Sequence, residues 1–180
     1  MQLIILDRDG VINEDSDNYI KSPDEFKPIP GSLEAISRLN HAGYLVMIAT
    51  NQSGIARGYF DMDTLNQIHD KLKHMLNGLG GHIDGIFFCP HGPDDQCRCR
   101  KPQPGLFEEI ALRLDTSLDG VPVVGDSLRD LQAAQQVGAA PVLVRTGKGE
   151  RTLAKGEGLD AVPVFDNLAS YVDHLLEGQF

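Results

Sequence analysis

Six short apolar runs, separated by segments of helical periodicity, most constrain what this chain can become. They lie at residues 3–6, 44–49, 83–88, 121–124, 141–144 and 162–165. Each is continuous rather than alternating, the mark of a strand covered on both faces, as in a parallel sheet. Between them, residues 32–41 carry Leu33, Ile36 and Leu39 at helical spacing, with Gly43 as a stop signal. Residues 63–79 carry Leu65, Ile68, Leu72, Met75, Leu76 and Leu79, and residues 106–114, 128–137 and 167–176 complete the helical set. This alternation predicts an α/β fold: a doubly wound, mostly parallel Rossmann-like sheet. A chain of 180 residues suits one domain spanning 1–180. The irregular stretches 13–30, 54–60 and 90–104 are too short for an independent unit, so no large cap domain is expected. Residues 147–158, glycine-rich and charged, read as a surface loop.

In open α/β sheets, ligands bind beyond the carboxyl ends of the strands. The first run is followed by Asp7-Arg8-Asp9-Gly10, the second by Thr50-Asn51-Gln52-Ser53-Gly54, and the fourth by Gly125-Asp126-Ser127 with Asp130 one turn later. Arg100-Lys101-Pro102 follows the loop that leaves the third. Residues two apart in extended chain point the same way, so Asp7 and Asp9 can face one reacting group. A third carboxylate, Asp126, makes a cation necessary, and hard oxygen ligands of this kind suit Mg2+. Asp7 then reads as a nucleophile and Asp9 as the acid and base that protonates a leaving oxygen and activates water. Thr50 can hold phosphoryl oxygens, and Lys101 supplies the fixed positive charge that phosphoryl transfer needs. Taken singly, each motif also has a plainer reading: Asp126 can cap a helix, and Thr50 or Lys101 can be a turn or a solvated residue.

The net charge of −10 sharpens this picture. An acidic surface repels nucleic acid and anionic membrane, so neither is an expected partner, and it would repel a phosphorylated substrate too unless the site carries local cations. Lys101 and Arg100 meet that demand, and Arg57 reads equally as a further contact or as a solvated side chain. No stretch resembles a signal or membrane segment, so a cytoplasmic location is expected; a monomer is the expected state.

All three cysteines fall between Cys89 and Cys99, in the pattern Cys89-Pro90-His91 … Cys97-Arg98-Cys99. Three thiols and one imidazole complete a tetrahedral Zn2+ site with no open position, hence structural rather than catalytic. Because Arg100 and Lys101 follow the last ligand directly, the zinc-bound loop is expected to aim both cations.

The order of these motifs resembles the haloacid dehalogenase-like phosphatase superfamily over nearly the whole chain. Asp7 to Asn13 looks like its first motif, Thr50-Asn51 its second, Lys101 its third, and Gly125-Asp126-Ser127 with Asp130 its fourth. The resemblance implies magnesium bound by Asp7, Asp126 and the main-chain carbonyl of Asp9, with Asp130 acting from behind. With its zinc loop the chain resembles two groups of small lidless members, the heptose bisphosphate phosphatases and the histidinol-phosphate phosphatases. The first matches better, through Thr50 to Gly58 and Cys99-Arg100-Lys101-Pro102. It implies a phosphomonoesterase acting on a phosphorylated sugar in nucleotide-heptose precursor biosynthesis, with Arg100, Asp15, Ser16, Asp17, Asn18, Asn51, Gln52 and Ser53 lining the sugar site. A different class, a receiver-like phosphoacceptor module, shares the acidic cluster, threonine and lysine. Asp9 argues against it, since an adjacent acid and base promotes hydrolysis of an acyl phosphate that a signal must preserve.

Overall fold

A computed structural model describes residues 1–177; the last three positions of the expected 1–180 domain lie outside the described residues. Among them are six strands, β1 (Gln2–Leu6), β2 (Tyr44–Asn51), β3 (Gly85–Cys89), β4 (Pro122–Gly125), β5 (Ala140–Val144) and β6 (Val164–Phe165). All pair in parallel in the order β3-β2-β1-β4-β5-β6. The chain therefore winds outward from β1 in one direction and from β4 in the other. The crevice of such a sheet opens where the order reverses, beyond the ends of β1 and β4. Asp7 and Asp126 are the residues that follow those two strands.

Strand residues alternate between two cores. Ile4, Leu6, Val46, Ile48, Val124, Val142 and Val144 face α1 (Ser32–His41), α2 (Met62–Gly78) and α6 (Leu168–Leu176). Leu3, Ile5, Met47, Ala49, Phe87 and Val123 face α3 (Gly105–Leu114) and α4 (Leu128–Gln136). Both faces being covered explains why the runs show no polar alternation. Helix boundaries follow local chemistry: Asp61 caps α2 by accepting from the Thr64 amide, and Ser127 with Asp130 forms a capping box at α4.

One stretch departs from expectation. Residues 147–158 are not simply a surface loop, because Gly149–Lys155 forms α5. Seven residues with a glycine at each end gave too little apolar periodicity to be read as helix, yet Thr152 is buried and its hydroxyl donates to the Asp126 carbonyl at 2.8 Å. The sheet thus carries α5 to the same crevice as β4.

Candidate active site

The crevice is a cavity of about 370 Å3. It gathers Asp7, Asp9, Asp15, Ser16, Asp17, Thr50, Asn51, Gln52, Ser53, Arg100, Lys101 and Asp126, each singled out from sequence. Asn18 is the exception. It is exposed and does not line the cavity: its N–H donates to Ser16 Oγ at 3.1 Å and its carbonyl accepts from Lys21 Nζ at 2.8 Å. The neighbouring Tyr19, in the left-handed region at φ 66°, lines the cavity in its place.

Asp7 sits just past β1, its amide donating to the Val124 carbonyl at 3.0 Å. Its Oδ1 accepts from the Arg8 amide at 2.8 Å and lies 3.2 Å from Lys101 Nζ. The lysine is buried, and its ammonium also donates to Asp130 Oδ1 at 2.6 Å and to the Ala49 carbonyl at 2.8 Å. All three of its protons are therefore directed. Burial alone would lower the Lys101 pKa, but Asp130 and Asp7 outweigh it and hold the ammonium above its usual range. Asn51 explains how a loop lysine arrives there: its Oδ1 accepts from the Lys101 amide at 2.9 Å and its Nδ2 donates to the Lys101 carbonyl at 3.1 Å. Asn51, expected to meet sugar, lines the cavity, and its amide also clamps the backbone of Lys101 to the end of β2.

Asp126 is buried, and its Oδ2 accepts from the Lys148 amide at 2.8 Å. Two glycines make room for that carboxylate. Gly10 at φ 89° and Gly147 at φ 57° both lie in the left-handed region, and a Cβ on either would fall 2.0 Å or 2.3 Å from Asp126 Oδ2. Asp130, by contrast, is fully engaged: besides Lys101 it accepts from the amides of Asp126 and Ser127 and from Ser127 Oγ, at 3.1–3.2 Å. It braces the turn from behind.

Ligand oxygens of Asp7, Asp126 and Asp130 all lie within 4.8 Å of one another. The mutual cost is visible in their protonation. Burial, then Asp130, pushes the Asp7 pKa up to about 7 against the pull of Lys101. Burial, then Asp7 and Asp130, pushes Asp126 well above its usual range. Two buried carboxylates short of positive charge fit a divalent cation bound by oxygen, as Mg2+ is. The Asp9 carboxylate is not one of this cluster. Its Oδ1 accepts from Arg8 Nε at 2.8 Å and Asn13 Nδ2 at 3.0 Å, and its Oδ2 from Gln52 Nε2 at 3.2 Å. Burial pushes its pKa up, but Arg8, Asn13 and Gln52 outweigh burial and hold it below the ordinary carboxylate range.

The second metal set is as compact. Cys89 Sγ lies 3.5 Å from His91 Nδ1, 3.6 Å from Cys97 Sγ and 2.9 Å from Cys99 Sγ, and His91 Nδ1 lies 3.3 Å from Cys99 Sγ. Zinc bonds of about 2.0–2.3 Å place tetrahedral ligands roughly 3.5–3.8 Å apart; the contacts of Cys89 with His91 and Cys97 match that spacing, those to Cys99 are tighter, and all four ligand atoms lie within 4.8 Å of one another, close enough to gather round one ion. Cys89 ends β3, and its carbonyl accepts from the Gln52 amide at 2.7 Å, which ties the loop to the second motif.

Several cavity residues escaped the sequence reading. Arg129, Lys148 and Arg151 join Arg57 and Arg100 on the walls. Lys148 pairs with Asp15 at 3.5 Å and Arg151 with Asp17 at 3.3 Å, whereas the Arg57 guanidinium lies 5.7 Å from the centroid of Tyr19. Burial, and then Arg129 ahead of Arg57, lowers the Arg100 pKa, so both guanidiniums act on that of Arg100. A signal existed for Lys148: it lies four residues past β5, where the strand-end rule points again. Arg57 lines the cavity with its side chain exposed over Tyr19.

The chain is similar to known phosphatases. A family model described as polynucleotide kinase 3 phosphatase matches residues 2–132, and one described as HAD-hydrolase-like matches residues 98–171. A D-glycero-beta-D-manno-heptose-1,7-bisphosphate 7-phosphatase of Bordetella bronchiseptica is 59% identical over 98% of this chain and 99% of its own. The crystal structure of the D,D-heptose 1,7-bisphosphate phosphatase from B. bronchiseptica, complexed with magnesium and phosphate, superposes with a TM-score of 0.96, covering 98% of both chains. The corresponding enzyme from Burkholderia thailandensis is 47% identical over 98% of this chain and 99% of its own, with a TM-score of 0.79.

Proposed function

The chain belongs to the D-glycero-beta-D-manno-heptose-1,7-bisphosphate 7-phosphatase family of haloacid dehalogenase-like hydrolases, and from that membership we propose that it is a magnesium-dependent phosphomonoesterase removing the 7-phosphate of a heptose 1,7-bisphosphate. The observation that carries this reading is the pairing, in one cavity, of an Asp7–Lys101 floor with three guanidiniums, Arg57, Arg100 and Arg129. A substrate with two phosphates on one small sugar answers both halves.

Asp7, Asp126 and the main-chain carbonyl of Asp9 would hold Mg2+, which when bound neutralises charge shared between carboxylates and phosphoryl oxygens. A carboxylate oxygen of Asp7 attacks phosphorus as the bond to the sugar C7 oxygen breaks, giving an aspartyl-phosphate. Asp9 gives its proton to the departing alkoxide, then takes one from the water that attacks the acyl phosphate, releasing phosphate and restoring Asp7. The incoming phosphoryl dianion supplies the negative charge that raises Asp9 from its low resting pKa, so its proton is taken up as substrate binds. Thr50 Oγ1, fixed by Gln52 Nε2 at 3.0 Å, and Lys101 hold the transferring group. Asp15, Ser16, Asp17, Gln52, Ser53 and Arg100 contact the sugar and its second phosphate. Residues 1–180 act as one domain, in the cytoplasm; among the described residues no helix is long and apolar enough to cross a membrane.

Specificity constants test the substrate. Heptose 1,7-bisphosphate should exceed fructose bisphosphate and histidinol phosphate, with the 1-phosphate retained in the product. Preference for histidinol phosphate, or release from C1, overturns the reading.

Cys89, His91, Cys97 and Cys99 would bind zinc, which would hold the loop that presents Arg100 and Lys101. Removing it, by chelation or by Cys97→Ser, should lower kcat/KM for the bisphosphate about 100-fold, the scale of an ångström's misplacement of a catalytic group. Magnesium affinity should not change. Unaltered kinetics in a folded, zinc-free protein would reject this role.

A further inference from the structure

Arg8, between the two aspartates of the first motif, has no solvent exposure. Taking a guanidinium out of water is costly unless its charge and its protons are answered. The turn it belongs to does not need its side chain: the Arg8 carbonyl already accepts from the amides of Val11, Ile12 and Asn13 at 2.8–3.2 Å. The guanidinium goes instead to Asp9. Its Nε donates to Asp9 Oδ1 at 2.8 Å, and its Nη2 lies 2.7 Å from the same oxygen.

The other side of the fork meets His69, a buried residue of α2, with Nη1 3.1 Å from His69 Nε2. Arginine has no acceptor, so Nε2 must receive the proton and the imidazole is neutral, with its own hydrogen on Nδ1. Burial, and then the adjacent Arg8, lower the His69 pKa to about 3, which keeps that lone pair available at working pH. With Asn13 Nδ2 also donating, two N–H groups bond Oδ1 and the charged Nη2 lies against it without a hydrogen bond of its own, while Oδ2 keeps the single donor Gln52.

We propose that Arg8 and His69 are a buried positioning pair that locks the rotation of the Asp9 carboxylate and leaves Oδ2 as the one oxygen exchanging protons with the leaving group and with water. This rests on Asp9 being the acid and base. His69 acts through Arg8, and neither touches substrate.

The test compares two esters. An alkyl phosphate, the heptose bisphosphate, needs its leaving oxygen protonated; p-nitrophenyl phosphate does not. Since kcat/KM reports events up to formation of the acyl phosphate, His69→Leu should lower it for the alkyl ester about 10-fold or more, part of the 10²–10⁴ that general acid catalysis supplies, and for the aryl ester much less. His69→Gln, which returns an acceptor, should recover most of the loss. Arg8→Lys, which keeps the charge but loses the fork, should show the same alkyl-selective defect and serves if His69→Leu does not fold. Equal losses on both esters, or none, would overturn the proposal. Asp9→Asn measured alongside separates the two levels. If it leaves the alkyl-to-aryl ratio unchanged, the acid and base reading fails; if it alone shifts the ratio, only the positioning pair fails.

Discussion

Asp7→Asn is expected to lower turnover of the bisphosphate by about 10⁴-fold or more, the scale seen when an enzyme's nucleophile is removed. The amide is isosteric and keeps an oxygen for the Arg8 amide and Lys101, so binding geometry survives while the attacking charge does not. The same change should stabilise the metal-free protein. With Asp7 raised to about 7 from an unfolded value of 3.8, the folded state binds the extra proton between those limits. Stability is therefore whole below pH 3.8, declines as pH rises to 7, and stays reduced above it. Removing the ionisable group should return on the order of 2–4 kcal/mol at pH 8 in the presence of a chelator. Parallel denaturant titrations with chelator and with Mg2+ check this: the variant should be the more stable in the first and lose that advantage in the second. An asparagine enzyme with parental turnover would remove Asp7 from the mechanism.

Lys101→Met carries the second large effect. The ammonium is the shared counterion of Asp7 and Asp130, 3.2 Å and 2.6 Å away. Methionine fills the stem's volume but leaves two buried carboxylates facing each other, and breaking a buried pair from one side costs about 3–5 kcal/mol. Chemical denaturation at pH 7.5 should show that loss. Turnover should fall about 10³-fold, as removal of a fixed donor at a developing charge does. A second change, Asp130→Asn in the methionine background, removes one of the two charges and with it their mutual repulsion, and should restore part of the stability but none of the turnover. Joint recovery would mean that the lysine is only structural.

Much of this was legible in one dimension because it is written in neighbours. A continuous run such as residues 3–6 announces burial on both faces, and the aspartate that ends it is placed at the crevice by the strand itself. Asp7, Asp9, Thr50 and Asp126 needed no tertiary information, and neither did the spacing from Cys89 to Cys99. Helix bounds came within a residue or so wherever apolar side chains recur, as at Ser32–His41. The reading failed at α5, whose seven residues carry no full apolar stripe, and at Asn18, since whether a loop residue faces in or out depends on the loop's path. It also missed the clamp that Asn51 makes, because its partner is the Lys101 backbone, fifty residues on.

The sequence alone determined the fold class, the strand-end placement of Asp7 and Asp126 and the clustering of Cys89, His91, Cys97 and Cys99, because each depends on periodicity or spacing within a few residues. Only the tertiary structure decided which charges meet. Lys101 lies between Asp7 and Asp130, Lys148 closes over Asp126, and His69 backs Arg8 across 61 positions. Such pairs form where parallel crossovers return distant segments to one edge of the sheet, and no local pattern records which segment lands beside which.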